Sequence, residues 1–347
     1  MSKSSKTELS VQKTEKLKNV LSTLPPFCLD YFRGIEPRTS LLTRINYAYD
    51  LRLFFSFLEN ELGKDAKHFK AKDLQSITMN DFELFLEYLT LYYKDDAVVE
   101  NSEKGIARKL SSVRSLYKYY YKKGLIDTNV TTKLETPKIH EKPIIRLDNS
   151  EALSLLNIIE TGAGLSPKQR EFHDKTKIRD IAIFTLFLTT GIRISELCAL
   201  DVSDFDFKNK AFKVLRKGGN EVLLYFGDET KAALERYIEE RKINSNFSQD
   251  SPMFLSLQNT RMSVRALQQL VKKYASIAVP LKNISPHKLR STYGTMLYEK
   301  TGDIYLVADV LGHKDVNTTR KHYAAIDEER RRSASGAVSF RDKRKKT

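Results

Sequence analysis

The stretch "LGHKDVNTTRKHY", residues 311–323, places a glycine–histidine pair ten residues before a tyrosine, Tyr323. A second fragment, "PHKLR" at residues 286–290, adds another histidine and an arginine a short distance upstream. Tyrosine is usually a packing residue. The presence of His287, Arg290 and His313 so close to it in the chain instead indicates chemistry, with Tyr323 as a candidate nucleophile.

The composition favours a nucleic-acid partner. The 347 residues include 59 Lys and Arg against 44 Asp and Glu, a formal net charge of +15. Such an excess of positive charge attracts polyanions through steering and counterion release. Because 41% of the residues are hydrophobic, the chain can form packed cores, and its length predicts two or three domains. A protein that is merely basic is the alternative at this point.

Nothing in the sequence indicates a metal site, export or a membrane span. The two cysteines, Cys28 and Cys198, lie in apolar contexts without metal-ligand spacing, as small hydrophobic residues do in a reducing compartment. No apolar run is long enough to span a bilayer, and no apolar segment follows the polar start "MSKSSKTELS". We therefore expect a cytoplasmic protein.

Changes in composition divide the chain into four parts. Residues 1–24 are polar and lysine-rich, which predicts a loose arm or a frayed helix. Helical periodicity runs through residues 25–138, the first predicted domain, and the proline-containing segment at 139–146 is typical of a linker. Residues 147–347 combine helical patterns with one β element, which predicts a second domain that ends in a basic tail.

Amphipathic helices are predicted in the first domain. Apolar residues recur at helical spacing in "INYAYDLRLFFSFLENEL", residues 45–62, and in "TMNDFELFLEYLTLYY", residues 78–93. The segment "IARKLSSVRSLYKYYYKKG", residues 106–124, has one apolar and one basic face. The apolar face holds Ile106, Leu110, Val113, Leu116 and Tyr120. The basic face holds Arg108, Lys109, Arg114, Lys118 and Lys122. We expect this basic face to contact DNA phosphates, with a solvated surface as the alternative.

Two fragments of the second domain place charged side chains near turns. In "TTGIRISELCAL", residues 189–200, Arg193 and Glu196 can face the same side of a helical turn. The fragment "KAFKVLRKGGNEVLLYF", residues 210–226, has two β-prone runs around a glycine-rich turn, which predicts a hairpin with Lys217 at its tip. Taken alone, these fragments favour the alternatives, an ordinary surface ion pair and a solvated turn lysine.

The fragment "SPHKLRSTYG", residues 285–294, predicts the start of a helix. Ser285 suits the N-cap and Pro286 the first helical position. His287 then lies in the first turn and Arg290 one turn further along the same face. We expect both side chains to point outward and to bind an anion. A capped helix with incidental polar residues is the alternative.

The order of these fragments resembles that of one enzyme family. R-x-x-E, a hairpin lysine, H-x-x-R, G-H and a late tyrosine follow one another as in the tyrosine recombinases, the lambda-integrase family. The resemblance is close to the Xer-type and simple integrase members. "TTGIRISELCAL", "SPHKLRSTYGTML" and "VLGHKDVNTTRKHYA" match family blocks almost residue by residue, and the similarity extends from residue 25 onward.

The resemblance implies a mainly α-helical fold with a small β-sheet, arranged as a C-shaped clamp of two domains. These are a helical core-binding domain and a mixed α/β catalytic domain. It also implies double-stranded DNA with a specific recombination site as the substrate, and no cofactor or metal. Four protomers would act on two DNA sites, either as copies of this chain or together with a paralogous recombinase. Dimer resolution of chromosomes or plasmids and mobile-element integration or excision both fit.

The resemblance further implies a role for each residue of the site. The implied catalytic residues are Arg193, Lys217, His287, Arg290, His313 and Tyr323. The tyrosine would cleave one strand, leaving a 3′-phosphotyrosyl link and a free 5′-hydroxyl. The arginines would bind the non-bridging phosphate oxygens, and the lysine would protonate the leaving oxygen. The first histidine would act as a base or relay, and the second would bond the scissile phosphate. Glu196 would hold Arg193 or His287 in place without taking part in the reaction directly.

The chain departs from the family pattern at two places. Arg216 stands where the hairpin block often has a glycine, in G-K-G, and "STYG" follows H-x-x-R where "HTFA" is common. Neither departure removes a catalytic group. The alternatives are a type IB topoisomerase-like nicking–closing enzyme, a DNA-binding protein without catalysis and a metal-dependent nuclease.

Overall fold

The chain divides into two compact units, Met1–Lys142 and Pro143–Thr347. The computed structural model describes residues 3–94, 97–138, 140, 145–216, 219–244, 247–312 and 316. Each unit has its own hydrophobic core. The four-part division drawn from the sequence, with limits after residues 24, 138 and 146, stays a prediction.

Helices and one short hairpin build the described part of the first unit. The helices are α1 Lys3–Leu21, α2 Cys28–Ile35, α3 Leu41–Asn60, α4 Met79–Thr90 and α5 Glu103–Lys122. Short 3₁₀ turns lie at Glu36–Arg38, Ala66–His68, Ala71–Ser76 and Val130–Thr132. Ser40, Thr78 and Ser102 begin α3, α4 and α5, and each accepts the backbone N–H three residues on.

Aromatic side chains fill the core of the first unit. The Phe54 ring stacks on Phe82 at 5.6 Å between centroids and meets the edge of Phe85 at 5.0 Å. The apolar face predicted for α5 is confirmed, since all five of its named residues are buried. Cys28 is fully buried in this core, and its burial raises the pKa of its thiol, as expected of a packing cysteine.

Of the two alternatives predicted for the N-terminal segment, a loose arm or a frayed helix, the structure contradicts the loose arm. Helix α1 runs from Lys3 to Leu21, and Leu17, Val20 and Leu24 are buried in the core of the first unit. Leu17 and Val20 lie one turn apart on this largely polar helix, and Leu24 continues the apolar spacing just beyond its end. The average composition hid this spacing.

A β-hairpin interrupts the segment that the sequence predicted as helical throughout. Strand β1, Leu91–Lys94, pairs antiparallel with β2, Ala97–Glu100, so that Tyr93 lies opposite Val98. The prediction that "TMNDFELFLEYLTLYY" continues as a helix is therefore wrong beyond Thr90. Aromatic and β-branched residues are good strand formers, and pairing with the valines of β2 decides the outcome.

The described part of the second unit consists of helices and a small sheet. The helices are α6 Asn149–Thr161, α7 Pro167–Thr190, α8 Ile194–Ala199, α9 Asp228–Asn244, α10 Val264–Ala278, α11 Pro286–Thr301 and α12 Ile304–Leu311. The strands are β3 Phe205–Asp206, β4 Ala211–Leu215 and β5 Glu221–Tyr225. They form an antiparallel sheet with β4 in the middle, preceded by a 3₁₀ turn at Val202–Asp204.

Helix α7 is the central helix of this core. Five apolar residues near its C-terminal end are fully buried: Ala182, Ile183, Phe184, Leu186 and Phe187. The helix stops at Gly191, which adopts left-handed backbone angles with φ of 58°. A side chain at this position would collide with the Tyr293 ring. The turn that carries Arg193 therefore begins at a glycine that is packed tightly against Tyr293.

We predict that Gly191→Ala destabilises the second unit more than Gly219→Ala does. Both glycines have positive φ, so each substitution costs about 1–2 kcal/mol of backbone energy. Only position 191 adds a collision with Tyr293, because the space around Gly219 is open. Urea unfolding of both variants measures the difference, and equal losses of unfolding free energy would contradict tight packing at Gly191.

Candidate active site

Arg193 and Glu196 form a compact ion pair at the start of α8. Arg193 is the N-cap of this helix, and its Nη1 donates to Glu196 Oε1 at 2.8 Å. Its backbone N–H donates to Glu196 Oε2 at 3.0 Å. The contact expected from their spacing is thus confirmed. Because the Glu196 side chain is only 4% exposed, one buried carboxylate holds both the turn and the guanidinium.

Arg193 also reaches the end of α12. Its Nη2 donates to the carbonyl oxygen of Gly312 at 2.9 Å. The side chain stays 36% exposed, so solvent still reaches it. The bonds to Glu196 and Gly312 use two of the five N–H donors of the guanidinium.

Arg290 lies beside this contact, but it does not point outward as predicted. Its residue exposure is 5%, and its guanidinium donates to the carbonyl of Gly191 at 2.6 Å and to that of Leu311. The carbonyls at helix C-termini lack intrahelical partners, and a buried guanidinium satisfies two of them here. The prediction of an outward-pointing arginine is wrong because these carbonyls draw the side chain inward.

Helix α11 begins at the residue that the sequence predicted. Ser285 is the N-cap and Pro286 the first helical residue, although the Ser285 side chain makes no cap hydrogen bond. His287 lies in the first turn and is exposed. His287 therefore faces solvent, whereas Arg290 on the same helix is buried.

The predicted hairpin around "RKGGN" is confirmed. The backbone N–H of Arg216 donates to Asn220 at 2.9 Å, and that of Gly219 donates to Arg216 at 3.1 Å. Three predicted catalytic residues, Lys217, His313 and Tyr323, lie outside the described residues. The structure thus brings together Arg193, Glu196 and Arg290 of the predicted set.

Arg216 belongs to the same region, although the sequence indicated it only as a departure from a glycine. Its guanidinium donates to the carbonyls of Val310 at 2.7 Å and Asp309 at 3.3 Å. Burial lowers the pKa of Arg216, nearby Glu196 raises it and Arg193 lowers it. One feature of the sequence could have indicated a role for Arg216: a cationic residue stands beside Lys217 where related hairpins often have a glycine.

The basic face predicted on α5 divides into paired and exposed residues. Arg108 donates to both oxygens of Asp50, at 2.5 and 2.8 Å, and Asp50 is buried. Burial raises the pKa of Asp50, and Arg108 opposes that rise. Arg114 donates to backbone carbonyls of Thr131 and Leu134. These two arginines therefore stabilise the first unit itself.

The three lysines of this face differ in exposure. Lys109 is half-buried against Asn101, and burial lowers the pKa of its ammonium group. Lys118 and Lys122 are exposed, and neither forms an ion pair with any residue in the described part of the chain. These two are the side chains best placed to meet an external anion.

Two general findings concern the described residues only. Among them, no group of three or more His, Cys, Asp or Glu side chains is placed to hold a metal ion. None of their helices has both the length and the apolar character needed to cross a membrane.

Comparison with known proteins assigns both parts of the chain. Residues 146–330 match the phage integrase family, and residues 30–124 match the phage integrase N-terminal SAM-like domain. The chain is a tyrosine recombinase of the phage integrase family.

Named relatives of this tyrosine recombinase match most of its length. Tyrosine recombinase XerC of Caldanaerobacter subterraneus subsp. tengcongensis is 32% identical over 319 residues, 88% of this chain and 84% of the relative. Tyrosine recombinase XerS of Lactococcus lactis subsp. cremoris is 31% identical over 356 aligned positions, 94% of this chain and 98% of the relative. The resemblance stated from the sequence motifs is confirmed.

Solved structures share the fold of this tyrosine recombinase. XerH recombinase bound to its difH substrate aligns with a TM-score of 0.63 at 21% identity, over 86% of this chain and 80% of XerH. A lambda integrase dimer bound to a COC′ core site aligns with a TM-score of 0.60 at 18% identity, over 85% and 93%. The predicted fold class, mainly helical with a small sheet, is confirmed.

The division of the basic face predicts a large loss of stability for one substitution on α5 and almost none for another. Arg108→Ala leaves the buried Asp50 carboxylate without its partner, and we expect it to lower the unfolding free energy by about 2 kcal/mol. Solvent at the half-exposed Arg108 keeps the loss below that of a fully buried pair. Lys118→Ala should change stability by less than about 0.5 kcal/mol.

DNA binding separates the two variants further. If Lys118 contacts a phosphate, its loss lowers the slope of log affinity against log salt by about 1. Chemical unfolding and binding titrations at several salt concentrations measure both effects. An unchanged salt slope for Lys118→Ala would remove this lysine from the DNA surface.

Proposed function

We propose that this recombinase cleaves DNA through Tyr323, with Arg193 and Arg290 binding the scissile phosphate. The observation that carries the proposal is the meeting of both guanidinium groups at one helix end. They bond adjacent carbonyls, those of Gly312 and Leu311. The predicted nucleophile follows this helix end closely in the chain.

The chemistry requires stabilisation of negative charge. A free tyrosine has a pKa of about 10, so roughly 0.1% is phenolate at neutral pH. Two planar guanidinium groups match the non-bridging oxygens of a phosphate. As charge grows in the transition state, each well-placed donor contributes roughly 3–4 kcal/mol. Arg193 can bind a phosphate oxygen while it keeps its bonds to Glu196 and Gly312, because a guanidinium has further donors.

The remaining predicted residues divide the proton transfers. Lys217, which follows Arg216 in the chain, protonates the leaving 5′-oxygen as a general acid. His287 serves as base or relay for the tyrosine, and His313 bonds the phosphate. Glu196 holds Arg193 through the ion pair described above. The energy of the broken phosphodiester stays in the phosphotyrosyl link, so a 5′-hydroxyl can reverse the reaction without ATP.

The proposed substrate is double-stranded DNA that carries a specific recombination site. A complete exchange between two duplexes needs four strand cleavages, which we assign to four protomers, each using one tyrosine. Such an exchange resolves joined chromosomes or plasmids, or moves an element between sites. Sequencing DNA that is covalently trapped by the protein identifies the site. Reconstitution on two copies of that site with this chain alone then tests whether a paralogous partner is needed.

We predict that Tyr323→Phe binds nicked target DNA but forms no covalent adduct. The substitution removes one oxygen, the nucleophile, from a side chain of nearly the same shape. Denaturing gel electrophoresis after incubation with labelled DNA measures the adduct. The wild-type adduct should persist in EDTA, unlike cleavage by a metal-dependent nuclease. Mapping the adduct to Tyr293 or Tyr298 would overturn the assignment.

We predict that Lys217→Ala slows cleavage of ordinary DNA much more than cleavage of DNA with a 5′-bridging phosphorothiolate. A thiolate leaves without protonation, so the general acid becomes dispensable. Single-turnover rates on the two substrates give the comparison. Equal slowing on both would make Lys217 a phosphate-binding residue instead of an acid.

A further inference from the structure

The C-terminal end of α12 accepts hydrogen bonds from three guanidinium groups. Arg216 bonds the first two carbonyls of the segment 309–312, Arg290 the third and Arg193 the fourth. The three arginines come from the β4–β5 hairpin, from α11 and from the turn before α8. One helix end therefore fixes the side chains of three separate elements.

Arg216 is seated in a space that the chain leaves open for it. Gly312 has a φ of 61°, and a side chain there would collide with the Arg216 guanidinium. The guanidinium is half-buried, and its Nε–H finds no hydrogen-bond partner within the part of the chain that the structure describes. Both of its carbonyl bonds go to α12.

The placement of Arg216 bears on the other two arginines. A helix C-terminus carries partial negative charge, and each guanidinium stabilises it. Leu311 and Gly312 continue directly from the two carbonyls that Arg216 bonds. If this turn moved, the acceptors of Arg290 and Arg193 would move with it. Arg216 also lies close enough to Arg193 and Glu196 to interact with both electrostatically.

We infer that Arg216 is a positioning residue for the phosphate-binding arginines. It anchors the last turn of α12, and that turn holds Arg193 and Arg290 in the arrangement that a scissile phosphate requires. The inference rests on the proposed function, in which these two arginines bind the phosphate. It assigns a role to a residue that occupies a position where related hairpins often have glycine.

The first test needs no DNA. In Arg216→Gly, backbone amides at the end of α12 should exchange with deuterium faster, because the Val310 carbonyl loses its Arg216 donor and the Asp309 carbonyl keeps only the Gly312 N–H. Arg216→Lys should give an intermediate effect, since one ammonium cannot reproduce a planar fork. The matched control is Lys213→Ala, which removes an exposed cation of the same hairpin that pairs with Glu221 at 3.4 Å. Unchanged exchange in Arg216→Gly, or equal exchange in the control, overturns the inference.

The second test separates a positioning role from simple loss of structure. A methylphosphonate at the cleavage site replaces one charged oxygen by a methyl group, so exact placement of the guanidinium groups matters less. Arg216→Gly should slow cleavage of the ordinary phosphodiester by about tenfold to a hundredfold, the scale of small misplacements. On the methylphosphonate the loss should shrink to a few-fold. Affinity for uncleaved DNA, measured in a Tyr323→Phe background, should change less than twofold.

Three outcomes contradict the inference. Arg216→Gly could cleave the phosphodiester at the wild-type rate, or lose the same factor on both substrates. The loss could also shrink on the 5′-bridging phosphorothiolate instead, which would place the effect at the leaving group. Failure of the wild-type protein to form any adduct would count against the proposed function alone, because the exchange experiment tests the anchoring of α12 independently.

Discussion

The need of α12 for partners at its C-terminal carbonyls is the constraint on which the described site depends. A helix cannot satisfy its last carbonyls internally, and here guanidinium groups from three other elements bond them. Guanidinium groups are suited to this task because each offers several donors in one plane. The arginines belong to different elements. The bonds that satisfy this one helix end therefore also fix the positions of the hairpin, α8 and α11 relative to α12. The geometry of the site is thus a property of tertiary packing.

Local sequence signals predicted the parts of the site whose partners are near in the chain. Arg193 and Glu196 are three residues apart, and helical spacing alone brings them into contact. The hairpin around Gly219 was readable because β-prone runs flank glycines that tolerate positive φ. The apolar face of α5 was equally clear, since a repeating pattern along one helix marks its buried side.

Interactions between distant positions could not be read in the same way. Arg290 finds its acceptor 21 residues away and Arg216 finds one 94 residues away, and no periodicity encodes such pairs. From the sequence, all five cations on the basic face of α5 had the same predicted role. The structure shows that Arg108 instead pairs with the buried Asp50, which lies 58 residues upstream. Similarly, the aromatic run before β2 fits a helix or a strand, and pairing across the hairpin decides between them.

The Arg216 guanidinium packs directly against Gly312. The effect of substituting these two residues therefore depends on which one changes first. Any side chain at 312 closes the space that the guanidinium occupies, so a change there first would expel the arginine. A change of Arg216 first removes this collision, and the left-handed backbone still restricts position 312. An evolutionary path that alters both residues is therefore open in one direction and obstructed in the other. Among descendants of this chain, replacements at 216 should precede replacements at 312.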